Sequence, residues 1–166
     1  MRRIFKLLFA LVLLLGVFVA GWLSGRLGIG SVIEPSSLSD AERAFSERMR
    51  DVVLVGTFTV TGRDRPPRTE RYEIAGVEKV GDDLWRFKAK MDCCGVNGEI
   101  PIVVPLRFVG DTPMIMMTDT SLPGIGTYTV RLFFYRDRYS GTWQGDKAGG
   151  HMSGRIEKKS TVDHAQ

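Results

Sequence analysis

The stretch Leu84-Trp85-Arg86-Phe87-Lys88-Ala89-Lys90-Met91 decides the fold class. Trp85, Phe87, Ala89 and Met91 fall on one side of an extended chain, and Arg86, Lys88 and Lys90 on the other. This is the period of two that a strand with one dry and one wet face requires. Gly126 to Tyr135 repeats it, with Tyr128, Val130, Leu132 and Phe134 opposite Thr127, Thr129 and Arg131. Extending the reading in both directions predicts eight strands: Val52–Thr61, Thr69–Val80, Leu84–Met91, Ile100–Phe108, Met114–Asp119, Gly126–Tyr135, Arg138–Gln144 and His151–Glu157. The connections, among them Gly81-Asp82-Asp83 and Gly110-Asp111-Thr112-Pro113, are hairpin-length and rich in turn formers, which makes consecutive strands antiparallel neighbours. The expected fold is mainly β: an antiparallel eight-stranded meander forming a barrel or near-closed barrel, with a two-sheet sandwich as the alternative. Pro101 and Pro105 each lack a ladder donor, placing the fourth strand at an edge or at bulges. Gly141 and Gly154, inside strands, leave room for a bend or for a large neighbour such as Tyr139 or Trp143.

Ahead of the strands, Ser39 and Glu42 have capping-box spacing, and Ala41, Ala44, Phe45, Met49 and Val52 follow at helical intervals. One short amphipathic helix is expected there, packed over the domain or lying on a membrane surface. Further upstream, Leu7 to Gly25 carries no charge over 19 residues, about the length that crosses the ~30 Å hydrocarbon layer. Arg2, Arg3 and Lys6 flank its start and only Arg26 lies near its end, a bias that keeps the N-terminus cytoplasmic and exports the remainder. A signal peptide cleaved near Val19-Ala20-Gly21 is the alternative, leaving the same domain secreted. The expected division is an N-terminal transmembrane helix as anchor over 1–26, a linker over 27–38, an extracytoplasmic β domain with its leading helix over 39–158, and a polar tail over 159–166.

The chain of 166 residues has 23 Lys and Arg against 19 Asp and Glu. Four of those bases lie in residues 1–30, which hold no acid, and taking them away leaves 19 bases facing 19 acids. A charge-balanced body of this kind argues against nucleic acid as a partner, since phosphate binding needs clustered cations. Cys93 and Cys94 are adjacent, so a disulfide between them would be strained and easily reduced. They are the candidate redox pair; two free thiols, or pairing between two chains, are the other readings. His151 and His164 stand alone without a nucleophile motif, and Met91, Met114, Met116, Met117 and Met152 suit the filling of strand walls better than soft-metal binding. Paired acids at Asp82 and Asp83 sit where turns want polar residues. No catalytic residue, metal site or cofactor is expected.

Gly141-Thr142-Trp143 resembles the G-x-W signature of the lipocalin-like calycins, although there it marks the first strand and here the seventh. Gly110-Asp111-Thr112-Pro113, Leu122 to Tyr128, Tyr139 to Trp143 and Gly149 to Ile156 resemble an uncharacterised family of bacterial membrane-anchored β-rich proteins, over roughly Val52 to Lys158. That resemblance implies a tethered β domain and brings no activity with it. The function expected is a noncatalytic, envelope-associated interaction domain. The alternative is a barrel binding a small apolar ligand, with Trp85, Phe87, Tyr128, Phe134 and Trp143 as wall residues around a cavity of ~300 Å³ or more. A third reading is a redox protein working through Cys93 and Cys94.

Overall fold

The computed structural model describes residues 13–19, 21–22, 32–93, 96–122 and 126–159, with side chains described outside 91–100. After a 3-10 turn at Pro35–Ser37, the chain forms one helix, α1 (Asp40–Arg48). Eight strands follow: β1 (Val52–Phe58), β2 (Arg68–Lys79), β3 (Leu84–Cys93), β4 (Val96–Val109), β5 (Thr112–Leu122), β6 (Gly126–Tyr135), β7 (Arg138–Gly145) and β8 (Gly149–Lys158). Each pairs antiparallel with the next, and β8 closes on β1 from Val52↔Lys158 to Phe58↔Met152. Closure removes the two-sheet alternative. β1 ends earlier than the alternation suggests, although the Thr59 and Thr61 amides still donate to β8 carbonyls at 2.8 Å.

Alternation fills the interior. Trp85, Phe87 and Ala89 of β3, Val104 and Leu106 of β4, Ile115 and Met117 of β5, and Leu132 and Phe134 of β6 are all buried. The helix plugs one end. Ser39 Oγ accepts from the Glu42 amide at 3.3 Å and Glu42 Oε2 from the Ser39 amide at 2.9 Å, completing the capping box. Phe45 and Met49 enter the barrel mouth, with the Phe45 ring 5.5 Å from Phe134, 5.8 Å from Trp85 and 6.1 Å from Phe108. Ala44, expected on the buried stripe, is exposed. Ser46 donates to the Val77 carbonyl at 2.6 Å and Lys79 pairs with Glu42 at 2.6 Å, fastening α1 to β2. The helix therefore packs over the domain.

The prolines of β4 show where the wall is thin. β4 pairs with β3 from Cys93↔Val96 to Leu84↔Pro105, but with β5 only from Val109↔Thr112 to Leu106↔Ile115. The Leu106 amide donates to Asp83 at the β3 side, so the positions of Pro105 and Pro101 face β5. Continuing the register would set Pro105 against Met116, where no donor exists. The ladder stops there. β4 is thus half edge strand and half interior strand.

Among the described residues no helix is long and apolar enough to cross a membrane. Residues 13–19 and 21–22 are helical and exposed. The rest of the expected span, the start of the linker and most of the tail lie outside the described residues, as does Cys94.

Candidate functional site

Two features inside the barrel are not part of the helix plug. The first is a cavity of about 190 Å³ midway along the barrel. Its walls come from all eight strands and are apolar except for the rings of Tyr72 and Tyr139; Phe87 and Phe134 form the side nearest the plug. Phe87 and Phe134 stack with centroids 6.3 Å apart. The ~300 Å³ or more expected from the sequence is not reached, so a lipocalin-sized ligand does not fit, whereas a volume near 150 Å³ lined this way holds a benzene ring. The space suits one ring or a short alkyl chain.

The second feature is a carboxylate. Glu70 of β2 is 7% exposed, and among the described residues it is the one charged side chain that is buried. Tyr139 Oη donates to Glu70 Oε1 at 2.8 Å and Tyr72 Oη to Glu70 Oε2 at 3.1 Å. Both hydroxyls are thereby turned away from the cavity their rings line. Burial pushes the Glu70 carboxyl above the ordinary carboxylate range against the pull of these two donors. Burial first, and then the bond to Glu70, pushes the Tyr139 phenol up. Tyr139 reaches Glu70 because Gly56 and Gly154 line its path: a Cβ on Gly56 would overlap Tyr139 Oη, and one on Gly154 would lie 2.7 Å from Tyr139 Cε1. Gly141 serves a different purpose, letting the β6 backbone at Arg131 and Leu132 approach β7.

The five wall residues expected from the sequence divide into three groups. Phe87 and Phe134 line the cavity. Trp85 belongs to the plug around Phe45, and Tyr128 and Trp143 form a separate cluster, 6.5 Å apart, with Phe58 6.0 Å from Trp143. Tyr139 is the large neighbour expected beside Gly154, whereas Glu70 and Tyr72 are not among the expected site residues, although Glu70, Tyr72 and Ile74 alternate on the inward face of β2, which is the signal that marks them.

Cys93 ends β3 opposite Val96, and its side chain and all of Cys94 lie outside what is described. His151 is exposed on β8; Met116 is exposed while Met117 is buried, so the methionines face opposite ways. His164 lies outside the described residues. Among the described residues no three His, Cys, Asp or Glu side chains converge as a metal site would need. An open groove of about 380 Å³ between the start of α1 and the β2–β3 and β4–β5 turns is lined by Asp82 and by two ion-paired carboxylates, Glu42 and Asp83. Both are neutralised, by Lys79 and by Arg107 at 2.9 Å. Comparison with known proteins finds no family model, no curated protein and no solved structure that matches this chain.

Proposed function

We propose that this protein is a noncatalytic, membrane-tethered extracytoplasmic barrel whose interior binds a small apolar molecule. The 190 Å³ cavity carries the proposal. The charge asymmetry around Leu7 to Gly25 supports the tether and the exported address, with cleavage after the same segment as the alternative. The likeness to bacterial membrane-anchored β-rich proteins agrees with a role in the envelope.

The test uses the full chain with methyl-labelled methionine. Met117 and Met152 line the cavity and Met116 lies on the outer wall, which supplies an internal control. Titration with benzene, toluene or hexane should shift the Met117 and Met152 methyl resonances saturably and leave Met116 unmoved. No saturable shift with any of these probes would sink the binding reading. Alkaline carbonate extraction of membranes carrying the chain tests the tether separately: an anchored chain stays with the lipid.

A further inference from the structure

We infer that the outer wall formed by β4, β5 and β6 rests against the lipid surface, an inference that builds on the proposed tether. Among the described barrel residues the large apolar side chains left exposed are Leu84, Val109, Met116, Phe133 and Tyr135. All five point outwards from the contiguous strands β3 to β6, opposite in alternation to the buried Trp85, Leu106, Ile115, Leu132 and Phe134. The register groups them. Met114↔Phe133 and Val109↔Thr112 place Tyr135 and Val109 on either side of Thr112, with Met114 and Phe133 in the next row and Met116 beside Arg131 in the third. The other half of the barrel presents Arg138, Thr142, His151, Ser153 and Arg155. A one-sided apolar wall marks an interaction surface.

The course of the chain identifies what covers it. The Ile33 amide donates to the Lys79 carbonyl at 2.9 Å, so the N-terminal segment meets the barrel at the end of β2. The β2–β3, β4–β5 and β6–β7 turns share that end, with Leu84, Val109 and Tyr135 next to them. Between the apolar run and this point stand residues Arg26 to Val32, which bridge at most ~24 Å when fully extended. The bilayer is thus held beside this end at high effective concentration, while a second copy or a protein partner must arrive by diffusion. The chemistry suits the headgroup zone. Arg136, 5.3 Å from the Tyr135 ring, supplies a cation beside the apolar rows, while Arg107 is paired with Asp83, and Asp82, Asp111 and Asp137 stand in the turns at the same end, so the contact rests on the apolar side chains.

The inference is tested with the full chain in phosphatidylcholine–phosphatidylglycerol vesicles, with and without bromine on the acyl chains. Two variants are compared in a Trp22→Phe background: Tyr135→Trp on the proposed contact wall and His151→Trp, equally outward, on the opposite one. Bromolipid should quench Tyr135→Trp about twofold more than His151→Trp, as expected for a side chain within ~5–10 Å of the acyl boundary. Adding Val109→Asp and Phe133→Asp should abolish the difference without changing the circular dichroism. Equal quenching at the two positions, or a difference that survives the two aspartates, overturns the inference. Carbonate extraction on the same vesicles separates this from failure of the tether: a chain that washes off defeats the tether reading, and one that stays with equal quenching defeats only the contact wall.

Discussion

Glu70 is held in an apolar interior by two phenols, and its energetics follow from that arrangement. Removing the Tyr139 hydroxyl leaves one oxygen of a buried carboxyl without its donor. Tyr139→Phe should lower the unfolding free energy by about 1–3 kcal/mol, measured by urea titration. Because burial holds the Glu70 pKa above its ordinary value of 4.5, the folded chain binds that proton more tightly than the unfolded chain does. The resulting stability is therefore fully present below about pH 4.5 and is lost as pH rises through the elevated pKa. Glu42 and Glu78 behave oppositely: burial alone would raise them, but Lys79 and Ser39 in one case and Lys88 and Arg86 in the other hold them low. Comparing Glu70→Gln with the parent cancels these background carboxylates. The stability of the variant relative to the parent should increase from pH 4 towards neutrality; a constant or decreasing difference would refute the assignment.

At the scale of elements, β4 is governed by its prolines. Pro105 lacks an N–H on the side facing β5, and the β4–β5 ladder ends one residue away at Leu106↔Ile115. Pro105→Val restores that donor opposite Met116. Amide exchange in the variant should show a protected N–H at position 105, together with slower exchange around Met116. Overall stability should shift by less than about 1 kcal/mol, since the new bond is offset by the freedom valine restores to the unfolded chain. An unprotected amide at 105 would mean that something other than the missing donor keeps the strands apart. The bulge in β5 has a different cause. There Asp119 takes a φ of 45°, its amide donating to Thr129 Oγ1 at 3.0 Å while its carboxylate accepts from the same hydroxyl.

For the whole molecule, the closed wall, the helix plug and the cavity are three consequences of one packing problem. Eight strands enclose an interior that side chains either fill or leave with room for a single guest. Phe45, Trp85, Phe87, Phe108 and Phe134 fill the plugged end, while Ala89 contributes only a methyl group to the cavity wall. Ala89→Leu should therefore reverse the usual penalty for enlarging a core residue. Thermal unfolding should occur at an equal or higher temperature, and the methyl shifts that benzene induces at Met117 should disappear. A destabilisation of about 1–3 kcal/mol, the normal result of overpacking, would show that the volume is not available to a guest.

Strand count, order and facing were legible because each depends on local alternation and turn chemistry: Leu84 to Met91 announces its own buried side, and Ser39 with Glu42 announces the helix start. The prolines indicated an edge, but not that β4 would be an edge for only half its length. The Glu70–Tyr139 bond joins residues 69 apart, so alternation along β2 turns Glu70 inward without naming the partner it meets there. The cavity was out of reach for a related reason. Its volume is what remains after side chains from eight strands meet in the interior, a sum set by barrel closure and register rather than by any one segment. Periodicity along the chain determined the eight strands and the direction each side chain faces, while closure into a barrel rather than a two-sheet sandwich came from the pairing of β8 with β1. Only the tertiary structure decided what those side chains enclose, because distances across a barrel belong to no stretch of sequence.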